Sequence, residues 1–108
     1  MSEKILQVNF KINGTKKEYE DAISPLVNDF AAVPGLHWKV WLMNETNREA
    51  GYLYLFRDDT SLQNFLTGPL AAKVKSHPAL SSMSVKQFDI MERQTSITRG
   101  PIGQKVGA

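Results

Sequence analysis

Two strand-length runs, Leu36-His37-Trp38-Lys39-Val40-Trp41-Leu42-Met43 and Glu49-Ala50-Gly51-Tyr52-Leu53-Tyr54-Leu55-Phe56, are separated by only Asn44-Glu45-Thr46-Asn47-Arg48. A polar connection of that length obliges the two runs to pair as an antiparallel hairpin. Both tryptophans and two of the three tyrosines fall on this hairpin. A His, a Lys and a Glu stand among its polar positions, and aromatic strands carrying such groups suit the wall of a pocket for a flat organic molecule.

The flanking sequence dictates what the hairpin packs against. Over residues 5–12, Leu6, Val8, Phe10 and Ile12 alternate with Gln7, Asn9 and Lys11 until Asn13-Gly14 closes the run, which predicts a half-buried strand. Over residues 15–33, Tyr19, Ala22, Ile23, Leu26, Val27 and Phe30 recur at three- and four-residue steps, the stripe of an amphipathic helix. Pro34-Gly35 ends it. Pro25 lies inside the stripe, so a kink is expected there, or a restart capped by Ser24.

Asp58-Asp59-Thr60-Ser61 offers N-caps for a second helix carrying Leu62, Phe65 and Leu66, which Gly68-Pro69 breaks. Leu70, Ala71 and Val74 predict another short helix before His77-Pro78, and a last strand is expected over about residues 84–91. The order β-α-β-β-α-β predicts an α+β fold, a ferredoxin-like antiparallel sheet of four strands with helices on one face. Residues 1–93 form this domain, and residues 94–108, marked by Gly100-Pro101 and Gly103, are expected to be a C-terminal arm.

The more uniformly apolar strand residues should face the helices. By that criterion Leu6, Val8, Phe10, Leu36, Trp38, Val40, Leu42, Leu53, Leu55, Phe88 and Ile90 point at them. Gln7, Asn9, His37, Lys39, Trp41, Met43, Tyr52, Tyr54, Gln87 and Asp89 point away, making a mixed face suited to ligand binding or to a dimer closing two sheets around a cavity. A one-residue slip in register would exchange the two sets.

Composition excludes several functions. The chain of 108 residues holds one core, and thirteen basic against eleven acidic side chains leave a net charge of only +2. With no cysteine, disulfides, thiolate nucleophiles, iron–sulfur clusters and cysteine zinc sites are all ruled out. No apolar signal-peptide core precedes the first strand and no run approaches membrane-spanning length, so a soluble cytoplasmic protein without a membrane partner is expected. The two histidines, His37 and His77, lack metal-ligand spacing, and no metal site is expected from them.

Pro34-Gly35-Leu36 followed by Trp38-Lys39-Val40-Trp41, Glu49-Ala50-Gly51 with Tyr54-Leu55-Phe56, and Phe88-Asp89 in the last strand resemble the YdhR-type mono-oxygenase family of the dimeric α+β barrel superfamily. The resemblance extends in element order from about Leu6 to Asp89. It implies a homodimer whose two sheets form a barrel, with a pocket between each sheet and its helices or in the barrel interior. It also implies oxygenation of an aromatic, phenolic or quinol-like small molecule by molecular oxygen, without flavin, haem or metal, so that no cofactor is expected. The arm after Met91 falls outside the match and is a candidate to contact the partner subunit.

Within that reading the expected catalytic residues are His37, Lys39 and Tyr54. His37 reads as a general base, histidine being the side chain whose free imidazole changes charge near working pH, or as a strand-end histidine bonded to a carbonyl. Lys39 reads as a stabiliser of a phenolate, enolate or superoxide, or as a snorkelling surface lysine. Trp41, Tyr52 and Tyr54 read as a sandwich for a planar substrate, or as packing. Gln7 and Asn9 are candidates to hydrogen-bond a substrate oxygen, and Glu49 is a candidate carboxylate that reads equally as a polar turn exit.

Two other functions fit parts of the pattern. A non-catalytic small-molecule-binding barrel would share all these features. Gly51-Tyr52-Leu53-Tyr54-Leu55 is similar to the aromatic strand of RNA-recognition motifs, but Ala50, Leu53, Arg57 and Gln7 stand where that motif needs a basic, a small and two aromatic residues. No nucleic-acid partner is expected.

Overall fold

The computed structural model describes residues 2–103. Four strands, β1 (Lys4–Ile12), β2 (Leu36–Asn44), β3 (Glu49–Phe56) and β4 (Leu80–Asp89), form one sheet in the order β2-β3-β1-β4 with every pair antiparallel. Helices α1 (Lys16–Ile23), α2 (Val27–Ala31), α3 (Asp59–Leu66) and α4 (Pro69–Lys75) connect them, and α5 (Glu92–Ile97) follows β4. This is the α+β, ferredoxin-like arrangement the element order predicts. No described helix is long and apolar enough to cross a membrane.

Local chemistry sets the helix ends. Thr15 caps α1 through a reciprocal box: its hydroxyl accepts from the Glu18 N–H at 3.1 Å, and Glu18 Oε1 accepts from the Thr15 N–H at 2.9 Å. The break at Pro25 is a 3₁₀ turn, Ser24–Leu26, between α1 and α2. Ser24 does not cap the second segment; its hydroxyl donates back to the Glu20 carbonyl at 2.8 Å. Asp58 caps α3 by accepting from the Ser61 N–H at 2.8 Å. That bond, with Arg57 alongside, holds the Asp58 carboxyl below its ordinary pKa.

The sheet register corrects the predicted faces. Leu6, Val8 and Phe10 lie opposite Tyr54, Tyr52 and Ala50, and all six are buried under the helices. Lys39, Trp41 and Met43 pair with Tyr54, Tyr52 and Ala50 and share that face. Of the predicted helix-facing set, only the β1 residues and Leu36, which pairs with the buried Phe56, are right. Trp38, Val40, Leu42, Leu53, Leu55 and Phe88 lie on the opposite face.

For β2 the cause is a bulge at its start. Leu36 pairs with Phe56, yet Trp38 pairs with Leu55, so His37 is an extra residue and the alternation changes phase across it. A second irregularity, between Asn9 and Lys11 on β1, accommodates Ser82 at φ 53° in β4. It hides the strand's first residues, and β4 starts at Leu80 rather than near residue 84. Gln87, reassigned to the helix side, hydrogen-bonds Gln63 of α3 at 3.0 Å.

The described part of the C-terminal arm folds onto its own chain. The Trp38 indole donates to the Pro101 carbonyl at 2.8 Å, and the Gly103 N–H donates to Glu3 at 2.7 Å. Arm residues 104–108 lie outside the described residues. On the uncovered sheet face Val40, Leu42 and Phe88 are 45%, 40% and 45% exposed.

Gly35 closes the turn between α2 and β2 at φ 79°, its carbonyl accepting from the Arg57 N–H at 2.7 Å. A Cβ at this position would overlap the Ser61 side chain. Gly35→Ala is therefore expected to destabilise the fold by more than about 1 kcal/mol. In a urea-denaturation double-mutant cycle, Ser61→Gly should recover the steric part of that loss but not the backbone part.

Candidate functional site

The face beneath the helices is an aromatic cluster. Phe10, Tyr19, Phe30, Trp41, Tyr52, Tyr54, Phe56 and Phe65 form a chain of ring pairs with centroids 5.0–6.3 Å apart, mostly tilted or edge-on. Tyrosines occupy such a core because their hydroxyls find partners in it. The Tyr19 hydroxyl donates to that of Tyr52 at 3.0 Å, and the Tyr54 hydroxyl accepts from Lys39 Nζ at 3.2 Å. Burial pushes all three tyrosine pKa values up, so these groups stay protonated.

Lys39 ends in the middle of this cluster. Its Nζ lies 3.1 Å from the Phe30 ring centroid, 3.5 Å from Tyr52, 3.8 Å from Trp41 and 4.6 Å from Tyr54. No carboxylate pairs with it among the described residues. Burial alone lowers its pKa from 10.5 to about 6. The amine is thus mostly uncharged at neutral pH, and on protonation it becomes a cation facing four electron-rich rings.

A cavity of about 280 Å³ opens beside it, lined by Val27, Phe30, Ala31, Leu36, His37, Trp38, Lys39 and Trp41. Phe30, Val27 and Ala31 come from α2, and the rest from the first residues of β2. His37, the bulged residue, sits at this site with its Nδ1 2.7 Å from Glu3 Oε2. Neither side chain is more than 13% exposed. Glu3 therefore orients the imidazole on one side and holds Gly103 of the arm on the other. Bulges commonly re-aim a side chain at the edge of a site in this way.

The structure thus brings together Lys39, Tyr54, Tyr52 and Trp41, with His37 at the cavity wall. Gln7, Asn9 and Glu49 are not with them. They alternate with Leu6, Val8, Phe10 and Ala50, which are buried under the helices, and so they lie on the uncovered face. Asn9 instead lies against Gly51, where an added Cβ would stand 2.7 Å from Asn9 Oδ1 and 2.6 Å from the Val8 carbonyl. Sequence reasoning missed Phe30 and Glu3. Phe30 was legible only as a helix-stripe residue, and Glu3 precedes any pattern.

A wider groove of about 560 Å³ lies on the other side of α2, between Asp29, Val33, Pro34, Arg57, Asn64 and Leu70. It is larger than the Lys39 cavity but is lined by none of the candidate catalytic or substrate-binding residues read from the sequence. Its charged residues, Asp29, Arg57 and Lys73, are exposed, whereas Lys39 is half-buried. Chemistry rather than size favours the smaller cavity.

A family model described as "Putative mono-oxygenase ydhR" matches residues 5–101. No curated protein matches the sequence. Among solved structures, a variant of SnoaB, a cofactor-independent oxygenase from Streptomyces nogalater, superposes with a TM-score of 0.70 at 18% identity, covering 84% of this chain and 95% of that one. NE2512, a protein of unknown function from Nitrosomonas europaea, gives 0.69 at 19% identity, covering 84% and 91%. The heme-degrader MhuD from Mycobacterium tuberculosis gives 0.63 at 17% identity, covering 81% and 95%. At these identities the likeness is one of fold, the dimeric α+β barrel fold.

The buried amine makes stability depend on pH. Unfolding restores the ordinary pKa of 10.5, so between about 6 and 10.5 the unfolded chain holds a proton that the folded chain lacks. The resulting stability is complete above pH 10.5 and lost as pH falls to about 6. Relative to Lys39→Met, the wild type should gain up to about 1.4 kcal/mol per pH unit between pH 7 and pH 9. Urea melts of both proteins at pH 6, 7, 8 and 9 would show this slope, and parallel curves would show that the amine is charged in the fold.

Proposed function

The chain belongs to the YdhR mono-oxygenase family, and from that premise we propose that it is a homodimeric, cofactor-independent mono-oxygenase of a small phenolic or quinol-like aromatic compound. The observation that carries this reading is the placement of the Lys39 amine, without a carboxylate partner among the described residues, against Phe30, Trp41, Tyr52 and Tyr54 beside a cavity of about 280 Å³. The cofactor-free character of SnoaB supports it. The exposed Val40, Leu42 and Phe88 of the uncovered sheet face supply an apolar surface for the second subunit.

In this mechanism the ring of the substrate lies in the cavity, against the wall that Phe30 and Trp41 help to form. Lys39 Nζ takes the acidic proton of the phenol or of its keto tautomer, and the new ammonium and the substrate anion stabilise each other in a site poor in water. The anion passes one electron to O₂, and the substrate radical and superoxide then combine into a carbon-bound peroxide. Lys39 returns its proton to the terminal oxygen. Loss of the remaining proton on that carbon, with cleavage of the O–O bond, leaves a carbonyl and water. One oxygen atom enters the product, the other becomes water, and the substrate supplies all the electrons. His37, held by Glu3, and the Tyr54 hydroxyl position the substrate oxygen.

Oxygen uptake by chelator-treated, flavin-free protein with a panel of quinols, anthrone-like phenols and catechols tests the proposal. Uptake should exceed the autoxidation control and fall by about 10²–10⁴-fold in Lys39→Met, with a smaller loss in His37→Ala. Ligand binding without uptake by the wild type would instead make the chain a non-catalytic small-molecule-binding barrel.

A further inference from the structure

The placement of Lys39 points to a second reaction at this site. We infer that Lys39 is also a nucleophilic amine, able to capture a small aromatic aldehyde or ketone as an imine within the cavity. Three features carry the inference. Among the described residues Lys39 is the one lysine lining this cavity and its amine has no carboxylate partner, and the Tyr54 hydroxyl stands 3.2 Å from it.

An amine is a nucleophile only when its lone pair is free. Burial provides that here, holding Lys39 at about 6, whereas a lysine in water is almost wholly protonated at neutral pH. Phe30 and Trp41, already part of the cavity wall, give a single aromatic ring an apolar surface to rest against.

The steps balance without any further reagent. The Nζ lone pair attacks the carbonyl carbon, forming a C–N bond while the carbonyl π pair moves to oxygen. Tyr54 gives its hydroxyl proton to that oxygen and receives one of the nitrogen's protons, yielding a carbinolamine. Loss of a second nitrogen proton, with departure of the carbon-bound oxygen as water, leaves a neutral imine. The aromatic surroundings suit it, because an uncharged C=N group needs no counter-ion and no solvent shell.

The test is reductive trapping under nitrogen, so that oxygen chemistry plays no part. Full-length protein is incubated at pH 7 with 4-hydroxybenzaldehyde, samples are quenched at intervals with borohydride, which reduces a neutral imine, and the adduct is located by intact-mass and peptide mass spectrometry. The expected result is one adduct, on Lys39, forming more than about tenfold faster than on any other lysine. Lys39→Met and Lys39→Arg should both lose the fast adduct, and Tyr54→Phe should slow it. An unmodified Lys39 in wild-type protein labelled at Lys16, Lys17 or other exposed amines would overturn the inference, whichever variants fold. A Lys39 adduct without oxygen uptake would retain it while removing the oxygenase reading, and uptake without an adduct would do the reverse.

Discussion

One extra residue in β2 decides what this protein presents to a ligand. Strand side chains alternate between sheet faces, so the insertion of His37 as a bulge moves everything after it by one step. Beyond the bulge, Lys39, Trp41 and Met43 turn under the helices and Val40 and Leu42 turn out. Without it, two aliphatic side chains would enter the core and the amine would leave it. The fold instead places a lysine where desolvation is costly, and that cost is what lowers the pKa of its amine.

Much of the architecture was legible because it rests on short-range rules. The alternation of Leu6, Val8, Phe10 and Ile12, the polar connection from Asn44 to Arg48, and the punctuation at Pro34-Gly35 and Gly68-Pro69 each predict an element that is present. The facing of the sheet was not legible, for two physical reasons. A bulge has no composition signal of its own, and His37 looks like any other strand residue. Sorting faces by apolarity also treats Tyr52 and Tyr54 as surface residues, although their hydroxyls are satisfied internally by Tyr19 and Lys39.

The candidate site was legible in part for the same reasons. Lys39, Tyr54, Tyr52 and Trp41 were chosen as a group because they alternate together, and that relation survives when the whole group changes face. Gln7 and Asn9 were joined to them by a register guess and separated by the real one. Phe30 and Glu3 enter through tertiary contacts, which no local pattern encodes. The fold class is shared with proteins of differing chemistry, so the properties of this cavity follow from the particular side chains around Lys39.

Helix α2 supplies Val27, Phe30 and Ala31 to the cavity wall, and it is only Val27–Ala31 long, preceded by a 3₁₀ turn and without a side-chain cap. A single helical turn has little cooperativity of its own and relies on the ring contacts of Phe30 to stay in place. Such a segment opens at a lower free energy than the sheet beneath it, exchanging its amide hydrogens while β1 and β3 keep theirs. Phe30 covers the amine and belongs to this least cooperative part of the wall. Widening the cavity beside Lys39 then needs only one turn of helix to lift, with the antiparallel sheet still intact.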